Sequence, residues 1–223
     1  ANQLVAGAEA VNFSERTGAL NYIRFGENGP ARFEDLLKKQ QPWMPVFKGP
    51  VSFVEQSQFQ DELGMTHRRM KVHVDGIEVE GGMVIVHEKN GRVASINGDL
   101  FRVNVPKENP TIDTIQALRL AKNHIGAQTY MWEVPGADAR LKQETSDPKA
   151  SFLPKPQLVF APKDGQYKRD NFVLAWKMDV YAHAPMSRQW IFIDAKTGDI
   201  LYKLDRIHTA DVLGTAVSRY SGT

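Results

Sequence analysis

The placement of histidines and carboxylates limits the chemistry open to this chain. Two histidines one helical turn apart, with a glutamate between them, bring both imidazoles to one zinc ion and leave a carboxylate to activate its water. No His-Glu-x-x-His occurs in the 223 residues. The His-Glu pair that is present, His87-Glu88, runs straight into Lys89-Asn90-Gly91, which is turn chemistry. His67 and His73 stand an even number of residues apart in an alternating segment, so they could share a strand face, with His87 on the adjoining strand. That trio is the candidate metal site; solvated or hydrogen-bonded sheet histidines are the favoured reading. Glu78 and Glu80 also share a face, but a general acid and base need a cleft that splits their pKa values, so a solvated face is favoured here too. Gly81-Gly82 lacks the strand, glycine loop and helix order that cradles phosphate, and reads as a strand junction. No catalytic residue and no metal or cofactor is expected in this chain, which is read as not being an enzyme.

The elements that must position these residues are short strands. In 62–98, ELGMTHRRMKVHVDGIEVEGGMVIVHEKNGRVASING, the pairs Asp75-Gly76, Asn90-Gly91 and Asn97-Gly98 each offer the positive φ of tight hairpin turns. Met70, Val72 and Val74 alternate with Arg69, Lys71 and His73. Upstream, VNFSERTGALNYIRF from Val11 reads as a hairpin with a Thr17-Gly18 turn. Ala31 to Gln41 reads as a helix on Phe33, Leu36 and Leu37, with Lys38-Lys39 near its end and Pro42, Pro45 and Pro50 stopping it. Hairpins from Val51 to about Val103 then form an antiparallel sheet on that helix.

A second unit begins near Val105. Asn109-Pro110-Thr111 precedes a helix carrying Ile112, Ile115, Leu118, Ala121 and Ile125, stopped by Gly126. Residues 135–156, rich in Pro, Asp, Lys and Ser, read as an exposed loop. Strands return at Leu158 to Phe160 and in NFVLAWKMDVYA, whose alternation puts Trp176 on the apolar face. A last hairpin runs from Trp190 to Leu204 through Asp194-Ala195-Lys196-Thr197-Gly198. The fold class is α+β: two consecutive units, each an antiparallel β-sheet packed on a helix.

Composition narrows the partners. At 42% hydrophobic the chain can bury a core in one large or two modest domains. A formal charge of +2, with basic and acidic residues interleaved, argues against nucleic acid. No apolar run reaches the roughly 20 residues of a membrane span. Cysteine is absent, which removes disulfides and thiolate zinc sites. The opening ANQLVAGAEA has no basic-then-apolar signal, as in a cytosolic protein or a secreted one already processed.

The order LGMTH, a basic strand, GIEVEGG, IVH and SING resembles the fungalysin/thermolysin propeptide domain. ALRLAKNHIGAQTYMWE and LAWKMDVYAHAPMSRQWIFIDAKTGDIL resemble the helix and final strands of the PepSY domain that follows it in thermolysin-type precursors. The resemblance divides the chain at 1–103, 104–205 and 206–223, the last being the pro/mature junction and the start of a protease strand. It implies the propeptide of a secreted or periplasmic thermolysin-like zinc metalloprotease, acting as tethered inhibitor and intramolecular chaperone and released by autocleavage. The implied partner is the cognate catalytic domain, which would carry the zinc and calcium. The alternative is a free-standing inhibitor or binding module of the same fold, acting in trans.

After Leu204 the hairpin pattern ends, and Asp205, Arg206, Ile207, His208, Thr209 and Ala210 follow without turn or helix signals. A frayed tail is the plain reading. On the resemblance, these six residues are the inhibitory segment, because DVLGTAVSRYSG looks like an enzyme strand. The cut must then fall after Leu204 and before Asp211. His208–Thr209 is the expected scissile bond, since His208 and its new carboxylate both suit a zinc ion. Arg206–Ile207 is the competitor, with a bulky apolar residue after the cut.

Overall fold

The computed structural model describes residues 5, 7–15, 18, 20–25, 29–37, 50–100, 109–168 and 171–207. Among them, eleven strands form one sheet whose main path runs β1 (Ala10–Phe13), β2 (Leu20–Arg24), β6 (Arg92–Leu100), β5 (Ile77–Lys89), β8 (Gln157–Pro162), β9 (Phe172–Ala184), β10 (Ser187–Asp194) and β11 (Ile200–Asp205), with β4 (Thr66–Val74) pairing with β5, β3 (Val51–Gln60) with β4, and β7 (Thr129–Tyr130) with β9. The expected α+β class holds, and the two units share that sheet. The unit boundary expected near residue 103 lies outside the described residues.

In the first half, β1 (Ala10–Phe13) and β2 (Leu20–Arg24) form the expected hairpin, and β2 continues onto β6 (Arg92–Leu100). β3 (Val51–Gln60), β4 (Thr66–Val74) and β5 (Ile77–Lys89) complete the antiparallel array. Two of the three turn assignments hold. Asp75 and Gly76 have φ of 51° and 78°, and Asn90 and Gly91 52° and 71°, the doubly positive geometry that matches strand twist. Asn97-Gly98 is instead inside β6, where Gly98 lies opposite Val84. Glycine is needed there for space: a Cβ would stand 2.1 Å from the Met83 carbonyl oxygen.

The described part of the first helix, α1 (Phe33–Leu37), carries Glu34 and Asp35 in its first turn, where carboxylates suit the helix dipole. Buried Phe33 and Leu36 join Met70, Val72, Val84 and Val86 in the core, and Phe33 meets Phe53 edge-on with ring centres 5.0 Å apart. The rest of the segment expected to be helical lies outside the described residues.

In the second half, α2 (Thr114–Ile125) starts on an Asp113–Gln116 capping box and ends at Gly126, with φ of 64°. Its buried residues are Ala117 and Ala121, whose small side chains let the helix approach Met178, Val180, Ile191 and Ile193 of the sheet. Ile115, expected on that face, is 78% exposed. It stands two residues from Ala117, about 200° around the helix. Trp176 packs against this core and donates its indole N–H to the Ile112 carbonyl at 2.7 Å. The expected loop at 135–156 contains a helix, α3 (Ala137–Thr145). Only Ala137 of α3 is buried, so the sequence has no apolar stripe to reveal it. After β7 (Thr129–Tyr130), the remaining strands are β8 (Gln157–Pro162), β9 (Phe172–Ala184), β10 (Ser187–Asp194) and β11 (Ile200–Asp205).

The halves join where β5 pairs in parallel with β8, Glu78 opposite Val159 and Val79 opposite Phe160. To reach β8, β5 bulges between its pairing of Glu78 with His73 and of Met83 with Lys71. Gly81 lies in that bulge with φ of 72°, against the Tyr167 ring. Two paired residues contribute only about 1 kcal/mol per hydrogen bond. Phe160 and Phe172, both buried in the first-half core, each add about 1.5–3 kcal/mol and dominate the joint. Lys177 closes it, reaching Glu80 at 2.6 Å with both side chains more than four-fifths covered, at 14% and 13% exposure. Replacing Lys177 by Met strands the Glu80 carboxylate and is expected to cost about 3 kcal/mol in urea unfolding. Adding Glu80→Gln should recover most of that loss; equal stability of wild type and the single variant would deny the ion pair this role.

Candidate functional site

The fold brings two of the residues singled out for chemistry together and separates the rest. His67 and His87 lie opposite one another on β4 and β5, with their Nδ1 atoms 2.6 Å apart, while His73 is turned to the Lys71 carbonyl at 3.4 Å. Among the described residues no three His, Asp or Glu side chains converge as metal ligands. Glu78 and Glu80 are held separately, Glu78 by Lys71 at 2.7 Å and Glu80 by Lys177 at 2.6 Å. Each carboxylate thus has its own cation, and the two do not form an acid/base pair. Gly81-Gly82 is the junction where β5 bulges, as its sequence suggested.

The tail begins from a firmly held base. Asp205 is the last residue of β11, opposite Gln189, and the Arg206 N–H donates to the Arg188 carbonyl at 2.8 Å. The Arg206 guanidinium bonds the Asp179 carboxylate and lies over the Trp190 ring, 4.9 Å from its centre. Arg188 grips the same carboxylate through Nε at 3.1 Å and Nη2 at 2.8 Å, and those hydrogen bonds raise its own pKa. Trp190 therefore meets two cations, since Lys177 Nζ also sits over its ring, 4.7 Å from the centre. Contacts of this kind contribute about 0.5–2 kcal/mol each.

This clamp was not found from the sequence. The pattern needed is a carboxylate on one arm of a hairpin and arginines on the other arm and just past the next strand. It becomes visible only when the β9–β10 register, with Tyr181 opposite Arg188 and Asp179 opposite Trp190, is known. Beside the clamp is a groove of about 380 Å³ between residues 147–157 and the β9–β10 face, lined by Phe152, Leu153, Lys155, Tyr181, Arg188 and Trp190. Of the six residues proposed as inhibitory, Asp205, Arg206 and Ile207 are described; His208, Thr209 and Ala210 lie outside the described residues.

Comparison with known proteins gives this arrangement its context. The Fungalysin/Thermolysin Propeptide Motif matches residues 51–100, the stretch from β3 to β6. Bacillolysin of Bacillus amyloliquefaciens is 28% identical over 180 residues, covering 78% of this chain and 31% of that protein. Thermolysin of Alicyclobacillus acidocaldarius is 30% identical over 151 residues, covering 67% of this chain and 25% of that protein. The chain thus spans about a third or less of the curated relatives it matches. Among solved structures, the Bacillus megaterium YpeB C-terminal domain aligns with 87% of this chain and 75% of its own at 12% identity, with a TM-score of 0.38, too distant to carry an assignment. The chain contains a fungalysin/thermolysin propeptide motif and is homologous to the propeptide region of thermolysin-family metalloprotease precursors.

Proposed function

We propose that the chain is the propeptide of a secreted thermolysin-like zinc metalloprotease, inhibiting the attached catalytic domain, assisting its folding and leaving by autocleavage near the end of the chain. The observation that carries this reading is the clamp at Arg206. A segment that must occupy a protease cleft is most effective when its base is fixed, because a short tether gives the segment a high effective concentration at the cleft. Here the base is fixed within four residues of Ala210, the end of the proposed inhibitory segment. The zinc and calcium belong to the catalytic domain; this chain contributes the peptide. After the cut, the new terminal carboxylate is an oxygen ligand suited to zinc, so product and inhibitor become the same group.

The clamp also bears on the scissile bond. Cutting at Arg206–Ile207 requires Arg206 to enter the cleft, which breaks its backbone bond to Arg188 and loosens its grip on Asp179. Losing such contacts costs about 1.5 kcal/mol, roughly a tenfold handicap. His208–Thr209 needs no such release and remains the proposed bond. The folding role has a physical warrant as well: extracellular proteases that rely on kinetic stability fold over high barriers, which a folded template can lower.

Three outcomes test this. Unfolded catalytic domain refolded with residues 1–208 should regain more activity than without them, and equal yields at every concentration would remove the chaperone role. Ending the chain at Leu204 should leave binding to the mature protease in place but weaken inhibition about tenfold; Asp179→Asn should move inhibition the same way by a smaller factor. An unchanged inhibition constant in both would put the plug elsewhere. Sequencing the N-terminus of the mature enzyme should give Thr209; Ile207 would select the competing bond, and a terminus beyond Thr223 would make the whole chain propeptide.

A further inference from the structure

The contact between His67 and His87 goes beyond the propeptide reading and does not rest on it. Both outer ring nitrogens are engaged: Nε2 of His67 lies 3.1 Å from Asp61 Oδ2, and Nε2 of His87 lies 2.9 Å from Asn97 Oδ1. A carboxylate oxygen and an amide oxygen both accept, so each Nε2 carries a proton that it donates. Two neutral imidazoles held this way aim two lone pairs at each other across 2.6 Å. That contact is stable only with a third proton between the nitrogens. A tetrahedral zinc at about 2.0–2.1 Å from each would hold them roughly 3.3 Å apart, so the spacing is that of a hydrogen bond.

We propose that His67 and His87 form a one-proton site, an imidazole–imidazolium pair that shares a single proton between its Nδ1 atoms, excludes a second, and is opened by acid. The groups around it fit one positive charge. Asp61, from the β3–β4 turn, supplies the facing carboxylate, and its own pKa is held below the usual range by hydrogen bonds from the Met65 backbone and from His67. Phe59 of β3 stacks on His67 with ring centres 4.7 Å apart. On the other side β6 presents Asn97 and Ser95, opposite Tyr22 and Arg24 of β2, and Arg24 is paired with Glu9 at 3.2 Å. The neighbouring Arg68 and Glu88 bond each other at 3.2 Å.

The consequence of acid follows from the second proton. Burial, and then the charge on His67, lower the His87 pKa from its ordinary 6.5, against the hydrogen bond that His87 donates to Asn97 Oδ1. The unfolded chain therefore binds that proton more readily than the folded one. With respect to this second proton the stabilisation is present above about 6.5 and is lost as pH falls through the lower folded value, while the shared proton has to stay on the pair. Two charged rings at this distance repel, and separating them releases Phe59 and the Asp61 turn from β5.

Imidazole NMR of the 223-residue chain tests this. At neutral pH the expected result is one strongly deshielded proton coupled to both Nδ1 atoms, and on acidification a pair that never holds two charges while folded. Below about pH 6.5 the unfolding constant of the wild type should rise by up to about tenfold per pH unit relative to His87→Asn. Independent titration of both rings as solvated imidazoles, matching pH profiles for wild type and variant, or one zinc bound at the pair at neutral pH would each overturn the proposal. If His87→Asn fails to fold, the wild-type spectra decide it alone.

Discussion

The short parallel bridge from Glu78-Val79 to Val159-Phe160 makes one body of the two halves. β5 is shared: its first residues serve β8 and its later ones β6, and both partners lie on the side away from β4. Where it changes partners the strand bulges against β4, and the bulge holds a residue at positive φ beside an aromatic ring. Gly81 is that residue, against Tyr167. Once the strands meet, Phe160 and Phe172 enter the first-half core, and the Glu80–Lys177 pair fills the polar remainder of the joint. Packing supplies most of the energy. The ion pair supplies register, because a misaligned β9 would leave two charges covered and unpaired.

The same Lys177 links this joint to the far end of the chain. Its ammonium lies over Trp190, and Arg206 lies over that ring too. From Glu80 to Arg206 there is thus an unbroken series of side-chain contacts along one face of the sheet. On the tethered-inhibitor proposal such a series has a clear use, since a segment that blocks a cleft would inherit the rigidity of the body that carries it. The Asp179 carboxylate, held by two arginines, is the last member before the chain passes Ile207.

Much of the fold was legible because its signals are local. Asp75-Gly76 and Asn90-Gly91 form turns through their own backbone preferences, and Gly126 stops α2 for the same reason. The readings that failed lacked a local signal. Asn97-Gly98 has the composition of a turn, yet glycine is there to make room for the Met83 carbonyl. α3 has almost no buried face, so its helix leaves no period in the sequence. Ile115 fits a helical repeat, but two alanines define the side that docks.

By itself the sequence determined most strands, helix α2, two of the hairpin turns, the α+β class, the absence of a His-Glu-x-x-His motif and the resemblance that names the likeness to propeptides, all of which depend on residues near one another in the chain. Tertiary structure alone decided which distant groups meet: Glu80 with Lys177, 97 residues away, His67 with His87, 20 away, and Asp179 with Arg206, 27 away. Strand register sets those meetings, and register is the sum of bulges, twist and core packing over whole strands. A one-residue slip sends every side chain to the opposite face. No short stretch of sequence encodes that sum, so charge pairs and a shared proton emerge only when the sheet has closed.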